Sequence, residues 1–351
     1  MMEIYLKKPH HRRGQKYIYL GIFLVLSILS AGFLIKFSPH FFYFFWGNRW
    51  LVKSETPLTK DQVNAIQKGI QGIRGKIVWA SSRTGNHEIF LLSLPDLQMF
   101  QLTHNPHVDT FPRFSPDGSK ILFCRSQRPW VSIRENDPWD VYLFFLVDNR
   151  ETLIAPNGNM AQWIDQERIS FVRNRKIIIK DLRNGREETI LDGTQPKVSA
   201  EITSPEFLRR DPNLLVFTGR GKMDGVFVWD RRKDSFLKIG SGCMITWNPS
   251  GKEVLWVDNG GNGGTYILKS EFENPRPQVF MDLPGRYSHE YFPRLSQNGQ
   301  WLVWAATAEG HEPDIMDYEI FLWKVGSPFS DALRLTYNPA NDIWPDIFLE
   351  K

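Results

Sequence analysis

The chain has 351 residues and a formal net charge of +4, and much of the basic excess lies in residues 1–16. A nucleic-acid-binding domain needs a basic patch on its folded part, and the rest of the sequence concentrates none, so we expect no nucleic-acid partner. Hydrophobic residues (42%) and aromatic residues (14%) suffice for a core built from strands. The two cysteines, Cys124 and Cys243, form neither a disulfide framework nor a zinc-binding pattern.

The N-terminal residues predict a membrane anchor. Residues 1–16 are basic, and the run from Tyr17 to Ile35 is uncharged and apolar. This length can cross a bilayer, and the basic flank predicts a cytoplasmic N-terminus with the rest of the chain outside. We therefore predict a transmembrane anchor over residues 17–36. A signal peptide cleaved near residues 30–32 is the alternative.

Residues 37–75 form the predicted interface segment and a short linker helix. The aromatic cluster from Phe37 to Trp46 suits a membrane interface. Thr59 and Gln62 have the spacing of a capping box. Hydrophobic residues then recur at helical spacing up to Ile73.

One phrase recurs in the remaining chain. Its clearest copy runs from Phe111 to Phe123 and predicts two strands joined by a Ser-Pro-Asp-Gly turn. Further copies cover residues 160–171, 205–217, 244–256 and 292–304, and a sixth is split between residues 344–349 and 76–79. The second strand of every copy ends on an aromatic residue: Phe123, Phe171, Phe217, Trp256, Trp304 and Trp79.

This repeat predicts an all-β fold, a six-bladed β-propeller over residues 76–351. Repeats of roughly 40 to 50 residues that contain short strands are typical of propeller blades. A propeller with open edges would expose unpaired backbone groups. We therefore expect strand 343–349 to pair with residues 77–81 and close the ring.

The repeats resemble the TolB-type propeller family. The resemblance rests on residues 82–90, 102–118 and 335–345, and the last two ranges share a Thr-x-Asn-Pro phrase and an aromatic-Pro pair. It implies a TolB-like six-bladed propeller and, from TolB itself, a periplasmic protein-binding role. Two features differ from TolB. Only residues 51–75 occupy the place of its N-terminal α/β domain, and the chain looks anchored rather than released by signal cleavage.

Three acidic residues are candidate binding residues. Asp109, Glu290 and Asp342 each stand three residues before the proline of an aromatic-Pro pair. Equivalent positions in neighbouring blades would place them on one side of the channel mouth, where they could bind a cation or a basic partner. Alternatively, each acid caps its own turn.

Three histidines are candidates for a metal site. His104 and His107 lie in one interblade loop, and His289 lies in the matching loop of a nearby blade. Imidazole groups ligate zinc and manganese. No cofactor is otherwise indicated.

Two insertions are candidate partner surfaces. Residues 127–140 contain Trp130 and Trp139, and residues 308–318 contain His311. Both join second to third strands, so we expect them to project from one face. The tryptophans would either contact a partner or pack the insertion onto its blade.

These observations predict a single-pass inner-membrane protein with its propeller in the periplasm. We expect it to be a non-catalytic scaffold that binds an envelope protein or glycan. No nucleophile elbow or phosphate-binding loop occurs in the sequence. The alternative is a metal-assisted carbohydrate-active enzyme, a lyase or hydrolase, that uses the histidine cluster in the channel.

Overall fold

The computed structural model describes residues 58–129, 131–133, 138–310, 312–314 and 316–350. The predicted anchor over residues 17–36 lies outside these ranges, as do residues 1–16 and the aromatic cluster. Within the described ranges, no helix combines the length and the apolar character that a membrane crossing requires.

The described chain forms one helix before its strands, a short 3-10 helix and 24 strands. The helix is α1 (Lys60–Gly69), and the 3-10 helix covers Phe329–Asp331. The first twelve strands are β1 (Gly75–Ser81), β2 (Glu88–Leu94), β3 (Met99–Gln101), β4 (His107–Phe114), β5 (Lys120–Pro129), β6 (Trp139–Phe145), β7 (Arg150–Ala155), β8 (Asn159–Trp163), β9 (Arg168–Arg173), β10 (Lys176–Asp181), β11 (Glu187–Asp192) and β12 (Ala200–Leu208). The others are β13 (Asp211–Gly221), β14 (Gly225–Asp230), β15 (Ser235–Gly240), β16 (Cys243–Trp247), β17 (Glu253–Gly260), β18 (Gly264–Glu271), β19 (Gln278–Met281), β20 (His289–Leu295), β21 (Trp301–Thr307), β22 (Glu319–Lys324), β23 (Leu333–Arg334) and β24 (Asp342–Leu349).

The strands build six antiparallel four-stranded sheets, which are the blades. Blade 1 has the order β24-β1-β2-β3, and blades 2 to 6 take four consecutive strands each, from β4–β7 to β20–β23. The innermost strands β24, β4, β8, β12, β16 and β20 contact one another in this cyclic order. The all-β, six-bladed propeller predicted from the repeats is therefore confirmed.

Blade 1 joins the two ends of the propeller. Strand β24 pairs antiparallel with β1, from Gly75 opposite Leu349 to Ser81 opposite Asp342. This is the pairing expected from the split copy of the repeat. It removes the free edge that β1 would otherwise present.

Aromatic side chains fill the blade interfaces. The six aromatic residues that end the second strands of the repeats are each at most 1% exposed. Burying a large aromatic side chain is among the strongest stabilising contributions available to a core. The recurrence of this position therefore reflects packing between blades.

Both cysteines, Cys124 and Cys243, are free thiols.

Helix α1 packs against blade 6. Thr59 Oγ1 accepts a hydrogen bond from Gln62 N at 3.2 Å, and Gln62 Oε1 accepts one from Thr59 N at 2.8 Å, so the predicted capping box is present. Ile66 is buried in the core. Gly69 permits the close approach to β23, because a Cβ there would lie 2.6 Å from a methyl carbon of Leu333.

Removal of β24 tests the dependence of the fold on closure. A chain ending at Asn341 should lose cooperative unfolding, because β1 and the inner side of blade 1 lose their partner strand. A chain lacking only Lys351 is the control and should melt like the full protein. Thermal denaturation followed by circular dichroism distinguishes the two. Equal melting of both chains would contradict the structural role of the closure.

Candidate functional site

The three predicted binding acids are buried beneath the loops that connect successive blades. Asp109 lies in β4, Glu290 in β20 and Asp342 in β24, and each is 0% exposed. They do not face an open channel mouth, which corrects the arrangement expected from their spacing. Asp109 and Asp342 instead accept hydrogen bonds from arginine and asparagine side chains, and Glu290 accepts one from a backbone N–H.

Hydrogen bonds among Asp109, Asn105 and Glu88 hold the loop between blades 1 and 2. We call this arrangement of two acids joined by an asparagine the clasp. Its carboxylate accepts hydrogen bonds from Arg125 at 2.7 Å and from Asn105 Nδ2 at 3.1 Å. The backbone N–H of Asn105 donates to Glu88 at 2.6 Å. Burial, together with the charge of Asp109, raises the pKa of Glu88 to about 8. The loop is thereby tied to strands β2, β4 and β5.

The same clasp recurs between blades 6 and 1. Asp342 accepts from Arg83 at 2.9 Å and from Asn338 Nδ2 at 2.7 Å. Asn338 N donates to Glu319 at 3.0 Å. The Thr-x-Asn-Pro phrase thus has an architectural role, because its asparagine joins one acid at the start of a third strand to another in the next inner strand.

Glu290 has no arginine partner among the described residues. One carboxylate oxygen accepts a hydrogen bond from Leu283 N at 2.5 Å, and Oε2 has no partner in the described part of the chain. Burial raises the pKa of Glu290 to about 8. This acid therefore caps its own interblade loop and is largely protonated at neutral pH.

The candidate histidines occupy separate environments. His104 is exposed beyond β3, whereas His107 Nδ1 lies 2.8 Å from the Ser126 carbonyl oxygen. The ring of His289 packs on Gly264. Across the described ranges, no group of three or more His, Cys, Asp or Glu residues is arranged to hold a metal ion. The described geometry gives no support to a metal centre at these histidines.

The two insertions contact each other. Ser132 Oγ donates to the Asp314 carboxylate, and Ile133 N donates to it at 3.2 Å. Trp139 begins β6, is 5% exposed and packs in the core shared by blades 2 and 3. It is therefore unavailable for the expected partner contact, and it packs the insertion onto the blade. Trp130 and His311 lie outside the described residues.

A bulge in every inner strand shapes the axis of the propeller. Each bulge lies where the pairing of the inner strand with the second strand shifts register. Its first residue has a φ between 51° and 58°, which non-glycine residues adopt rarely. These residues are Phe111, Met160, Ser204, Met244, Phe292 and Trp344. In four of the six bulges the next residue is proline, which has no N–H to leave unpaired.

The side chains of the bulge residues narrow the channel along the propeller axis. The rings of Phe111 and Phe292 lie with their centroids 4.7 and 5.9 Å from that of Trp344. Ser204 N donates to Met160 Sδ at 3.3 Å. The remaining space at this level is about 20 Å³, little more than one water molecule needs. These six residues, which we call the axial plug, close the channel along the propeller axis at this level.

A ring of polar residues lies two positions after each bulge residue. Every blade contributes one member: Arg113, Gln162, Glu206, Thr246, Arg294 and Asp346. We call this set the axial ring. It lines a cavity of about 230 Å³, whose rim includes Ser115, Arg209, Arg210 and Gln297. Arg209 and Arg210 are exposed, so the cavity reaches the surface at the Ser-Pro-Asp-Gly turns. We call that end of the propeller the turn face.

Interactions between blades hold the axial ring in place. Arg294 contacts the Glu206 carboxylate and donates to Thr246 Oγ1 at 3.1 Å. Asp346 accepts from Phe114 N at 2.8 Å. The indole N–H of Trp163 donates to the Arg113 carbonyl oxygen at 3.1 Å.

A matching bond joins blades 4 and 5, because the indole N–H of Trp247 donates to the Glu206 carbonyl oxygen at 3.1 Å. The ring is therefore a preorganised set of polar groups rather than a row of flexible side chains.

The axial ring was missed by reasoning from the sequence, although a signal for it exists. In all six copies the residue after the bulge pair is polar and is followed by an apolar residue, as in Pro112-Arg113-Phe114. A polar residue kept between apolar neighbours on an inner strand points toward the axis. The acid before the proline recurs in three copies of the repeat, whereas the residue at the ring position varies from copy to copy.

No protein-family model matches the sequence, and the search of curated proteins found no relative. Solved structures do match. TolB from Acinetobacter baumannii has a TM-score of 0.56 and 16% identity, covering 79% of this chain and 68% of its own. A protein assigned as TolB from Agrobacterium tumefaciens has a TM-score of 0.52 and 14% identity, covering 75% and 89%. The chain folds as a TolB-like six-bladed β-propeller.

At these identities the likeness to TolB establishes the fold alone. Oligogalacturonate lyase from Vibrio parahaemolyticus is a weaker match, with a TM-score of 0.47, 17% identity and 74% coverage of each chain. No functional conclusion follows from that match. The comparisons therefore identify no ligand for the axial ring.

The clasp around Asp109 can be tested by stability. Asp109→Asn should lower the free energy of unfolding by about 1.5–3 kcal/mol, because it weakens the hydrogen bonds from Arg125 to a fully buried carboxylate while Arg125 keeps its ion pair with Glu151. Asp148→Asn is the matched control, since the Asp148–Arg150 pair is about half exposed and should contribute about 1 kcal/mol or less. Denaturant titration measures both. Equal stability of the two variants would contradict the architectural role of Asp109.

Glu290 should make stability depend on pH. Its pKa rises from 4.5 to about 8 on folding, so the folded state holds a proton that the unfolded chain loses over this range. The contribution of Glu290 to the free energy of unfolding is therefore fully present below pH 4.5 and decreases as the pH rises toward 8.

Glu290→Gln should make the fall in melting temperature between pH 5 and pH 8 shallower. Glu309→Gln, at an exposed position, should leave the fall unchanged. If the melting temperatures of wild type and Glu290→Gln fell equally between pH 5 and pH 8, Glu290 would not be a buried protonated acid.

Proposed function

We propose that this chain is a non-catalytic binding scaffold of the cell envelope, anchored in the inner membrane by residues 17–36 with its propeller on the periplasmic side. It binds an envelope protein or glycan through the axial cavity on the turn face. The observation that carries the proposal is the axial ring, in which all six blades contribute a polar side chain to one cavity.

The composition of the ring supports binding rather than architecture. A residue with a structural role recurs with the repeat, as the second-strand aromatics and the Asn105 and Asn338 clasps do. The six ring positions instead carry arginine twice and four other residue types once each. This variation breaks the sixfold symmetry of the backbone, and asymmetric polar groups are what a specific ligand requires.

The backbone at the ring also supports a site. Six non-glycine residues with left-handed φ stand two positions before the ring residues. Strained backbone conformations concentrate at functional sites, where the surrounding structure maintains them. The bulges turn the ring side chains toward the axis, so the strain serves to build the cavity.

Site-specific photo-crosslinking in intact membranes tests the proposal. A photoreactive residue replaces Gln297 on the cavity rim, Glu188 on the outer strand β11, or Glu309 in the insertion at the opposite end. We expect discrete adducts from position 297 and none from position 188. Adducts from position 309 alone would place the partner on the other face and overturn the axial cavity as the binding site.

A further inference from the structure

The axial cavity carries an excess of positive charge. Four arginines line it, Arg113, Arg209, Arg210 and Arg294, against two carboxylates, Glu206 and Asp346. The formal net charge of its lining is therefore +2. Arg294 is offset by contact with Glu206, and Asp346 is engaged by a backbone N–H. After the Arg294–Glu206 pair, three arginines remain against the single charge of Asp346, so the potential in the cavity is positive.

At the base of the cavity, Arg113 is a buried arginine without a direct ion pair to any described residue. It is 6% exposed, and its contacts are with carbonyl oxygens, the shortest being Nη1 to Pro112 O at 2.7 Å. Within the described ranges it forms no ion pair with a carboxylate, and its buried Nε has no hydrogen-bond partner. The carboxylates of Asp346 and Glu206 act on Arg113 without forming a direct ion pair with it. A buried cation that lacks a direct partner is costly, and an anion in the cavity would offset that cost.

Arg209 and Arg210 continue this charge to the surface. Both are exposed on the rim, and neither forms an ion pair with any residue that the structure describes. Positive groups at the mouth of a narrow cavity attract anions and raise their association rate. The cavity therefore has an arginine at its base and two more at its opening.

We propose that the axial cavity binds a carboxylate side chain of an acidic peptide segment from a partner protein, with Arg113 as its principal contact. This inference rests on the proposed binding function of the cavity and specifies the chemistry of its partner. Arginine recognises carboxylates through paired N–H donors. Arg209 and Arg210 would guide the acidic segment to the opening.

The size of the cavity favours a peptide side chain over a sugar chain. Its volume of about 230 Å³ lies below the range of roughly 300–1,000 Å³ that is typical of small-molecule sites. The two tryptophans in its wall, Trp163 and Trp247, are 3% and 4% exposed. Neither presents an open ring face on which a sugar could stack.

The ionisation of Arg113 is consistent with an anionic ligand. Burial, together with the nearby charge of Arg294, lowers the pKa of Arg113 to about 9. A bound carboxylate would stabilise the charged form and raise this pKa. The guanidinium remains protonated at neutral pH, so it is available as a donor to an incoming anion.

Binding of defined probes to the full chain in detergent micelles tests the inference. The probes are fluorescein-labelled hexaglutamate, hexaglutamine and hexagalacturonate, and fluorescence anisotropy measures binding. We expect hexaglutamate to bind at least about tenfold more tightly than hexaglutamine, a difference of about 1.4 kcal/mol. Its affinity should fall as the salt concentration rises.

Variants of the arginines provide the second part of the test. Arg113→Met should weaken hexaglutamate binding by roughly tenfold or more, as expected for loss of a buried charged contact. Arg209→Gln with Arg210→Gln should weaken binding and reduce its salt dependence; both positions are exposed, so folding should be preserved. Arg183→Gln is the matched control, because this exposed arginine pairs with Glu167 near the same face. It should bind like wild type.

Each outcome bears on the inference. Equal binding of hexaglutamate and hexaglutamine, or equal loss in the Arg183→Gln control and the Arg209/Arg210 variant, would overturn it. Preference for hexagalacturonate over hexaglutamate would replace the peptide with an acidic glycan. Adducts from position 297 without binding of any probe would refute the carboxylate inference and leave the proposed function intact, whereas absence of both would refute both.

Discussion

The pairing of β24 with β1 is the interaction on which the rest of the structure depends. Six sheets around an axis leave no free inner edge only if the first and last blades meet, and here they meet because one blade is built from both ends of the propeller. Asp342 reinforces this join, since it accepts hydrogen bonds from Trp79 and Arg83 of the opposite end. Closure places the inner strands in one ring and thereby creates a common axis.

A second constraint acts along that axis. Each inner strand bulges at the same place, and the bulge directs one residue into the axial plug and a polar residue two positions later into the axial ring. The plug closes the axis, while the ring opens toward the turn face. The same bulge, repeated in every blade, therefore separates the axial plug from the polar cavity.

The acidic residues illustrate how repetition divides structural from functional roles. Asp109 and Asp342 recur with the Thr-x-Asn-Pro phrase, and each forms the same set of hydrogen bonds to an asparagine and an arginine. Glu290 lacks this phrase and bonds to its own loop instead. The axial ring follows the opposite rule, because its residue types differ from blade to blade. A position that recurs in space and varies in chemistry is where this fold can encode a specific partner.

The sequence by itself determined the repeat, the number of blades, the closure between residues near 77 and 347, and the capping box at Thr59. The turns, the aromatic positions and the capping box are predictable because they act through neighbours that are close in the chain. The closure, which joins distant residues, is predictable because one copy of the repeat is split between the two ends of the propeller. Only the tertiary structure decided which polar residues face the axis. A bulge of one residue reverses the side to which a strand points its side chains. The spacing therefore predicted Asp109 at the channel mouth, whereas it is buried, and did not indicate that Arg113 faces the axis. The axial ring exists because six distant segments converge, which local pattern cannot reveal.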